Sequence, residues 1–217
     1  MSQTSVLIVD DQELMAEALR VFVDSADDLT CVGIAHDGQR GVEMALSLRP
    51  DVVLMDLKLP LLSGVEATRR ILAANSDTAV VAITTMMTDA YLEPAFVSGI
   101  SGFLLKDSTP QEVIMAVRAA ARNSIVLSKA VRDSLLARAR SGGPSPSERA
   151  STWSLTPREI DVLTLLARGY DNRELSRALE ISEATVKAHM SSLMAKAGVT
   201  NRVHLVVRAL QDGVVAL

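Results

Sequence analysis

The chain has 217 residues, of which 48% are hydrophobic and 22% are charged, a composition ordinary for a protein that buries a proper core. It has no apolar stretch near the roughly 20 residues that a membrane helix needs, and its N-terminus lacks the basic flank and long apolar run of a signal peptide. Its single cysteine, Cys31, excludes an intramolecular disulfide, and we expect a cytoplasmic protein.

The net charge of −4 is unevenly distributed along the chain. Residues 1–122 carry 9 Lys and Arg against 17 Asp and Glu, whereas residues 155–217 carry 8 against 7. The acidic first part excludes nucleic acid as its natural partner, and the second part is too weakly basic to attract DNA through its overall field. Any DNA binding must therefore come from the local placement of a few side chains.

Short apolar runs alternate with amphipathic stretches through the first 122 residues. Near-continuous apolar runs are typical of buried parallel strands, and apolar residues three and four apart are typical of helices. The predicted strands are 6–9, 31–35, 52–55, 79–83 and 102–105. The predicted helices are 12–25, 39–48, 64–74, 90–98 and 110–122. Five such units predict a doubly wound α/β domain.

The sequence after residue 122 changes character. A further helix is predicted at about 128–140, followed at 141–147 by a run of Ser, Gly and Pro that is typical of a flexible linker. Beyond the linker the pattern is purely helical, and each of four short helices begins at a recognisable N-cap. The cap residues are Thr156, Asp171, Ser182 and Asn201. Because only a tight turn separates the second and third of these helices, we predict a helix-turn-helix unit.

Polar residues follow the apolar runs of the predicted sheet. Asp10 and Asp11 end the first strand, Asp56 the third and Thr84 the fourth, and Lys106 follows the fifth. In a parallel sheet these carboxyl ends share one edge, so the side chains should converge. Three carboxylates so close repel one another unless a cation joins them, and Mg²⁺ fits an all-oxygen site best. A lysine and a hydroxyl facing that ion would suit a phosphoryl group.

This constellation, with Pro60 and Gly64 after Asp56, resembles the receiver domain of two-component response regulators. The resemblance covers residues 5–122 and is specific, because five separated positions agree in type, order and spacing. It implies a flavodoxin-like sheet of five parallel strands in the order 2-1-3-4-5. It also implies that Asp56 accepts a phosphoryl group from the phosphohistidine of a sensor histidine kinase.

The same resemblance assigns roles to the neighbouring residues. The Mg²⁺ ligands that it implies are Asp10, Asp11, Asp56 and the backbone carbonyl of Lys58. Lys106 and Thr84 would hold the phosphoryl oxygens during transfer. Phe103 occupies the aromatic switch position, and it would move inward as Thr84 closes on the phosphate.

Residues 183–197 form an amphipathic pattern on a helical wheel. One stripe is apolar and predicted to be buried: Val186, Met190, Leu193 and Ala197. The opposite face is small or polar: Ala184, Lys187, Ala188, Ser191, Ser192 and Ala195. Thr185, His189 and Lys196 line one flank, where phosphates would lie. Periodicity alone supports an ordinary surface helix equally well.

A second resemblance favours DNA binding. The segments 155–159, 172–174 and 181–189, with Lys196, Asn201 and Arg202, look like the LuxR-type helix-turn-helix over about residues 154–215. Joined to a receiver, this is the layout of the NarL/FixJ class of transcription regulators. It implies a recognition helix within 182–197, a scaffold helix at 172–179, and a final helix at 202–211 that contributes to homodimerisation on double-stranded DNA.

The residues that would contact DNA are Thr185, Lys187, Ala188, His189, Ser191, Ser192, Lys196 and Arg202. The predicted domains are a receiver at 1–122, a linker at 123–153 and a small all-α DNA-binding domain at 154–217.

Two other functional classes compete with a phosphorylated regulator. Aspartyl-phosphate phosphatases and hydrolases typically carry a second acid two residues after the nucleophile, where this chain has Lys58, so we expect only self-directed phosphorylation and dephosphorylation. A constitutive DNA-binding protein is the other class, and the complete set of Asp10, Asp11, Asp56 and Lys106 argues against it. Whether phosphorylation would act by dimerisation or by releasing an occluded recognition helix stays open.

Overall fold

The computed structural model describes residues 3–85, 89–128, 131, 133 and 153–215, with the backbone alone for 89–91. The chain forms two compact units: residues 1–122 with 126–128, and residues 123–125 with 129–217. Of the helix predicted at 128–140, only residues 131 and 133 are described as helical, and the linker predicted at 141–147 lies outside the described residues. No helix in these described ranges has the length and hydrophobicity needed to cross a membrane.

The first unit is a parallel sheet flanked by helices. Its strands are β1 Thr4–Val9, β2 Leu29–Ala35, β3 Val52–Asp56, β4 Ala79–Thr84, β5 Gly102–Leu105 and β6 Val126–Leu127. Its helices are α1 Glu13–Asp24, α2 Gly38–Leu48, α3 Gly64–Ala74, α4 Asp89–Ser98 and α5 Pro110–Ala121. The strand order is β2-β1-β3-β4-β5-β6, and every neighbouring pair is parallel.

The predicted α/β fold and the order 2-1-3-4-5 are confirmed, but the sheet has one strand more than the five predicted. β6 lies within the segment 123–153 that was predicted as linker, and it pairs with β5 through Gly102 and Phe103. Asn123, at φ 57°, reverses the chain after α5. Two residues are too few to show a strand's alternating pattern, which is why the sequence did not reveal β6.

The central strands are buried on both faces. Every residue of β3 and β4 is buried, because α1 and α5 cover one face of the sheet and α2 and α3 lie on the other. The core on the α1 and α5 side includes Ile8, Leu19 and Val117. This packing fixes the carboxyl ends of β1, β3, β4 and β5 along one edge of the sheet.

Within residues 153–215 the second unit contains four short helices: α6 Pro157–Ala167, α7 Asn172–Leu179, α8 Glu183–Ala197 and α9 Arg202–Gln211. Each begins at the predicted cap, whose side chain accepts a hydrogen bond from the backbone N–H three residues later. Glu180, in the left-handed conformation at φ 53°, ends α7 and allows the tight turn into α8. The end of α7 and the N-cap of α8 lie close together in the chain and produce the predicted helix-turn-helix arrangement.

Candidate functional site

The three predicted carboxylates meet at the carboxyl edge of the sheet. Oxygens of Asp10, Asp11 and Asp56 lie within 4.8 Å of one another. Asp10 and Asp56 are buried, whereas Asp11 is exposed. The backbone N–H of Gln12 donates to Asp10 Oδ1 at 2.9 Å, and that of Lys58 donates to Asp56 Oδ1 at 3.0 Å. Each buried carboxylate is therefore oriented by the amide two residues further along the chain.

Lys106 brings a positive charge into this cluster. Its Nζ lies 2.7 Å from Asp56 Oδ2 and 2.8 Å from Asp10 Oδ2, and its side chain is only 7% exposed. Three carboxylates and one ammonium leave a formal charge of −2, which equals the charge that one divalent cation would neutralise. Since all three acids offer hard oxygen ligands, the donor set suits such an ion.

Burial and hydrogen bonding shift the pKa values of Asp56 and Lys106. Desolvation raises the pKa of Asp56 above its ordinary value, although Lys106 and the Lys58 amide oppose that shift. Desolvation lowers the pKa of Lys106, but its hydrogen bonds to Asp10 and Asp56 outweigh this effect and the pKa is raised. Lys106 therefore stays protonated, and Asp56 is a poorly hydrated carboxylate held beside a fixed positive charge.

Gly64 allows the loop after β3 to fold back on the site. A Cβ atom at this position would lie 1.9 Å from the backbone oxygen of Asp56, closer than any real contact. The Gly64 N–H donates to the Leu57 carbonyl at 3.1 Å, which closes the loop. The glycine of the predicted motif is thus required by the close approach of two backbones.

Thr84, Phe103 and Lys58 belong to the strands β4 and β5 and to the turn after β3. Thr84 is buried at the end of β4. Phe103 is fully buried in β5, with its ring centroid 5.8 Å from that of Phe96. Lys58 is exposed, and its backbone follows Asp56 directly around the turn. The switch movement predicted for Thr84 and Phe103 stays a prediction.

His36 lies beside the site, although no sequence pattern marks it. Its Nδ1 is 3.0 Å from the backbone oxygen of Asp10. Since a carbonyl oxygen only accepts, Nδ1 is the protonated nitrogen of this ring. His36 follows β2, the strand next to β1, so the predicted order 2-1-3-4-5 is the signal that could have placed it at this edge.

The surface of α8 matches the helical-wheel prediction on its buried side. Val186, Met190, Leu193 and Ala197 are all buried. The exposed residues of α8 are Glu183, Ala184, Thr185, Lys187, Ala188, Ser191, Ala195 and Lys196, and His189 and Ser192 are half-buried. Small side chains around Lys187 leave the helix backbone accessible to a groove.

Three of the residues predicted to contact DNA form hydrogen bonds with other parts of the protein. Ser192 Oγ donates to Glu159 Oε1 at 2.8 Å, and Lys196 Nζ lies 2.7 Å from Glu159 Oε2. Arg202 donates to the Tyr170 carbonyl at 3.2 Å. Glu159 lies in the segment 155–159 that resembles the LuxR-type motif, but no sequence pattern indicated its contacts with α8.

The two units match two known families. Residues 6–118 match the family described as the response regulator receiver domain. Residues 153–209 match the family described as bacterial regulatory proteins, luxR family. The chain belongs to the two-component response regulators that carry a LuxR-type DNA-binding domain. Both resemblances predicted from the sequence are thereby confirmed.

This response regulator has full-length relatives. It is 35% identical over 212 residues to the transcriptional regulatory protein LiaR of Bacillus subtilis, covering 97% of this chain and 98% of LiaR. It is 32% identical over 208 residues to the nitrate/nitrite response regulator NarL of Escherichia coli, covering 96% and 95%. The crystal structure of the response regulator ChrA of a heme-sensing two-component system is 32% identical, covers 99% of this chain and 100% of ChrA, and has a TM-score of 0.55.

These likenesses establish a two-component transcriptional response regulator, not a classical enzyme. The acidic pocket of Asp10, Asp11 and Asp56 is consistent with Mg²⁺ binding.

Proposed function

We propose that this response regulator accepts a phosphoryl group on Asp56 from a sensor histidine kinase and then binds specific double-stranded DNA through α8. The single observation that carries the first half is the placement of Lys106 between two buried carboxylates, 2.7 Å from Asp56 and 2.8 Å from Asp10. A purely structural ion pair would need one carboxylate, and the surplus negative charge calls for a further ligand.

The chemistry follows from this placement. A carboxylate oxygen of Asp56 attacks the phosphorus of a phosphohistidine, so that a P–O bond forms and the P–N bond breaks. Lys106 compensates the negative charge on the phosphoryl oxygens, and the Thr84 hydroxyl at the end of β4 supplies a hydrogen bond to them. Because Asp56 is buried, its carboxylate is only weakly hydrated before attack.

Mg²⁺ is the ion that the donor set favours. Its ligands would be Asp10, Asp11, Asp56 and the carbonyl of Lys58. When bound, the ion neutralises charge that develops on the transferring group. The exposed Lys58 occupies the position where aspartyl-phosphate hydrolases carry a second acid, which supports phosphorylation and dephosphorylation of this chain alone.

Labelling by acetyl phosphate tests the phosphoacceptor. Asp56→Asn should abolish incorporation of phosphate, because the amide is a poor nucleophile, whereas Asp77→Asn, an exposed acid at the opposite edge of the sheet, should keep it. Chelation of divalent ions should stop labelling of the wild-type chain. Full labelling of the Asp56→Asn variant, measured by mass spectrometry of the intact protein, would refute the assignment.

The exposed face of α8 supports the second half of the proposal. The recognition helix would lie in the major groove, with α7 across the backbone. The proposed base contacts are Lys187, Ala188 and Ser191, and the proposed phosphate contacts are Thr185 and His189. α9 would contribute to a homodimer on DNA.

DNA selection with the full chain tests this half. We expect enrichment of sequences with two half-sites, spaced about one helical turn apart as for a dimer. Enrichment should increase with beryllofluoride, which mimics the phosphoryl group, when Asp56 is intact. Enrichment that is the same with and without beryllofluoride would favour a constitutive DNA-binding protein.

A further inference from the structure

One buried carboxylate joins the first helix of the second unit to the recognition helix. Glu159, in the first turn of α6, is only 4% exposed. Its Oε2 accepts hydrogen bonds from Lys196 Nζ at 2.7 Å and from the Thr156 N–H at 2.8 Å. Its Oε1 accepts from Ser192 Oγ at 2.8 Å. The same side chain thus closes the capping box of α6 and holds two residues of α8 that lie one turn apart.

The two lysines of α8 have different surroundings. Lys196 is exposed, but its Nζ donates to the Ser154 carbonyl at 2.9 Å and to Glu159, so two of its hydrogen bonds are directed to the protein. Lys187 is exposed, and among the described residues it forms no ion pair. Nine residues separate them, which is about 14 Å along a helix, roughly the width of the major groove.

We propose that Glu159 is a positioning residue that fixes α8 and withdraws Ser192 and Lys196 from the DNA-reading surface. The reading surface is then the first half of the helix: Ala184, Lys187, Ala188 and Ser191. This inference rests on the proposed function, because it presupposes that α8 enters a DNA groove. It reassigns two of the residues that the sequence placed in contact with DNA.

The physical reason lies in charge and rigidity. A lysine whose charge is already neutralised by a buried carboxylate releases few counterions on meeting a phosphate, so it contributes little to the salt dependence of binding. A reading helix must also be held within about 0.5 Å of its productive position for base contacts to discriminate. A buried carboxylate with four hydrogen bonds supplies that constraint from α6.

The first test compares the two lysines of α8. Affinity of the full-length chain is measured against salt concentration, on a duplex selected by the wild-type chain and on a random duplex of equal length. Lys187→Met should make the negative slope of log K against log salt shallower by about 0.9, because an unpaired ammonium placed in the groove neutralises about one nearby phosphate charge. Lys196→Met should leave the slope unchanged. A slope loss in Lys196→Met equal to that in Lys187→Met would overturn the inference.

The second test separates positioning from folding. Glu159→Gln keeps an oxygen that accepts from Thr156 but loses the charge that holds Lys196. We expect the ratio of affinities for selected and random duplex to fall about tenfold, comparable to one mismatched base pair. Random-duplex affinity should not fall, because Lys196 is then no longer neutralised by a carboxylate. A merely structural role would weaken both affinities in the same proportion, and that result would contradict positioning.

The outcomes also distinguish this inference from the proposed function. A wild-type chain that selects no sequence and shows no salt-dependent binding refutes DNA recognition itself, and the inference with it. A wild-type chain that binds, with Lys196→Met behaving like Lys187→Met, refutes the inference alone.

Discussion

The acidic cluster of the first unit and the Glu159 cluster of the second both consist of carboxylates paired with a lysine, but their charges balance differently. In the first, one ammonium faces three acids and leaves a formal charge of −2. In the second, Lys196 and Glu159 cancel. The surplus makes the first a site for further ligands, whereas the second is complete and serves to hold two helices together.

Burial separates the two clusters as well. Lys106 is 7% exposed between acids that are 1% and 4% exposed, whereas Lys196 is 29% exposed. Loss of the lysine is therefore more costly in the first cluster, because it leaves two buried carboxylates unpaired there and only one, Glu159, in the second. An ion pair by itself does not identify a functional site. An excess of negative over positive charge in a buried cluster is the more informative feature.

Removal of each lysine should give the largest contrast. In the presence of a chelator, Lys106→Met should lower the free energy of unfolding of the first unit by about 3–5 kcal/mol, because it strands two buried carboxylates. Added Mg²⁺ should restore part of that loss. Lys196→Met should have a smaller effect that Mg²⁺ does not change. Urea unfolding, followed by circular dichroism and by the fluorescence of Trp153, measures both.

Lys58→Met is the matched control for Lys106→Met. Lys58 is exposed, so its removal should change the free energy of unfolding by less than about 0.5 kcal/mol. Equal losses for Lys58→Met and Lys106→Met would show that burial does not distinguish these charges, and the comparison between the two clusters would fail.

Two glycines, one in each unit, allow the same comparison to be made for the backbone. Gly64→Ala should cost about 3 kcal/mol, because its Cβ would meet the Asp56 carbonyl at 1.9 Å and neither backbone can yield easily. Gly198→Ala should cost about 1 kcal/mol, because open space surrounds that position and only its φ of +67° is unfavourable. Thermal unfolding of both variants checks the order, and a larger loss for Gly198→Ala would contradict it.

Lowering the pH should remove the stabilisation by Glu159 within a defined pH range. Desolvation opposes ionisation of Glu159, but hydrogen bonds from Lys196, Thr156 and Ser192 lower its pKa from 4.5 to about 2. Because the folded-state pKa is below the unfolded value, the stabilisation is fully present above pH 4.5 and is lost as the pH falls towards 2.

The wild-type chain should therefore exceed Glu159→Gln in free energy of unfolding by about 1–2 kcal/mol at neutral pH, and the gap should close between pH 4.5 and 2. Trp153 reports on this unit, since its indole N–H donates to Asp212 within it. A gap that stays constant over that range would show that the Glu159 charge does not stabilise the unit.

The sequence was sufficient for the receiver site because each member follows a buried strand. Val52–Asp56 is apolar until its last residue, so the position of Asp56 at the sheet edge could be predicted directly. Because the carboxyl ends of parallel strands share one edge of the sheet, residues from four strands could then be predicted to lie together. The helix caps were equally legible, because Thr156 and Ser182 act on backbone only three residues away.

The contacts between helices could not be predicted in this way. A helical wheel places Ser192 on the face opposite the apolar stripe and Lys196 on its flank, but it does not show which neighbouring helix reaches them. Glu159 satisfied a local pattern, the capping box, so its second set of contacts had no separate signal. Such contacts depend on how α6 and α8 cross, which local spacing does not determine.

The sixth strand determines where an isolated receiver can be cut. Val126 and Ser128 donate to the carbonyls of Ser101 and Phe103 at 3.3 and 3.0 Å, so β6 covers the outer edge of β5. A fragment ending at residue 122 would expose that edge and invite strand-to-strand association between molecules. A fragment ending at residue 128 keeps the edge covered and is the suitable choice for phosphorylation measurements on the receiver alone.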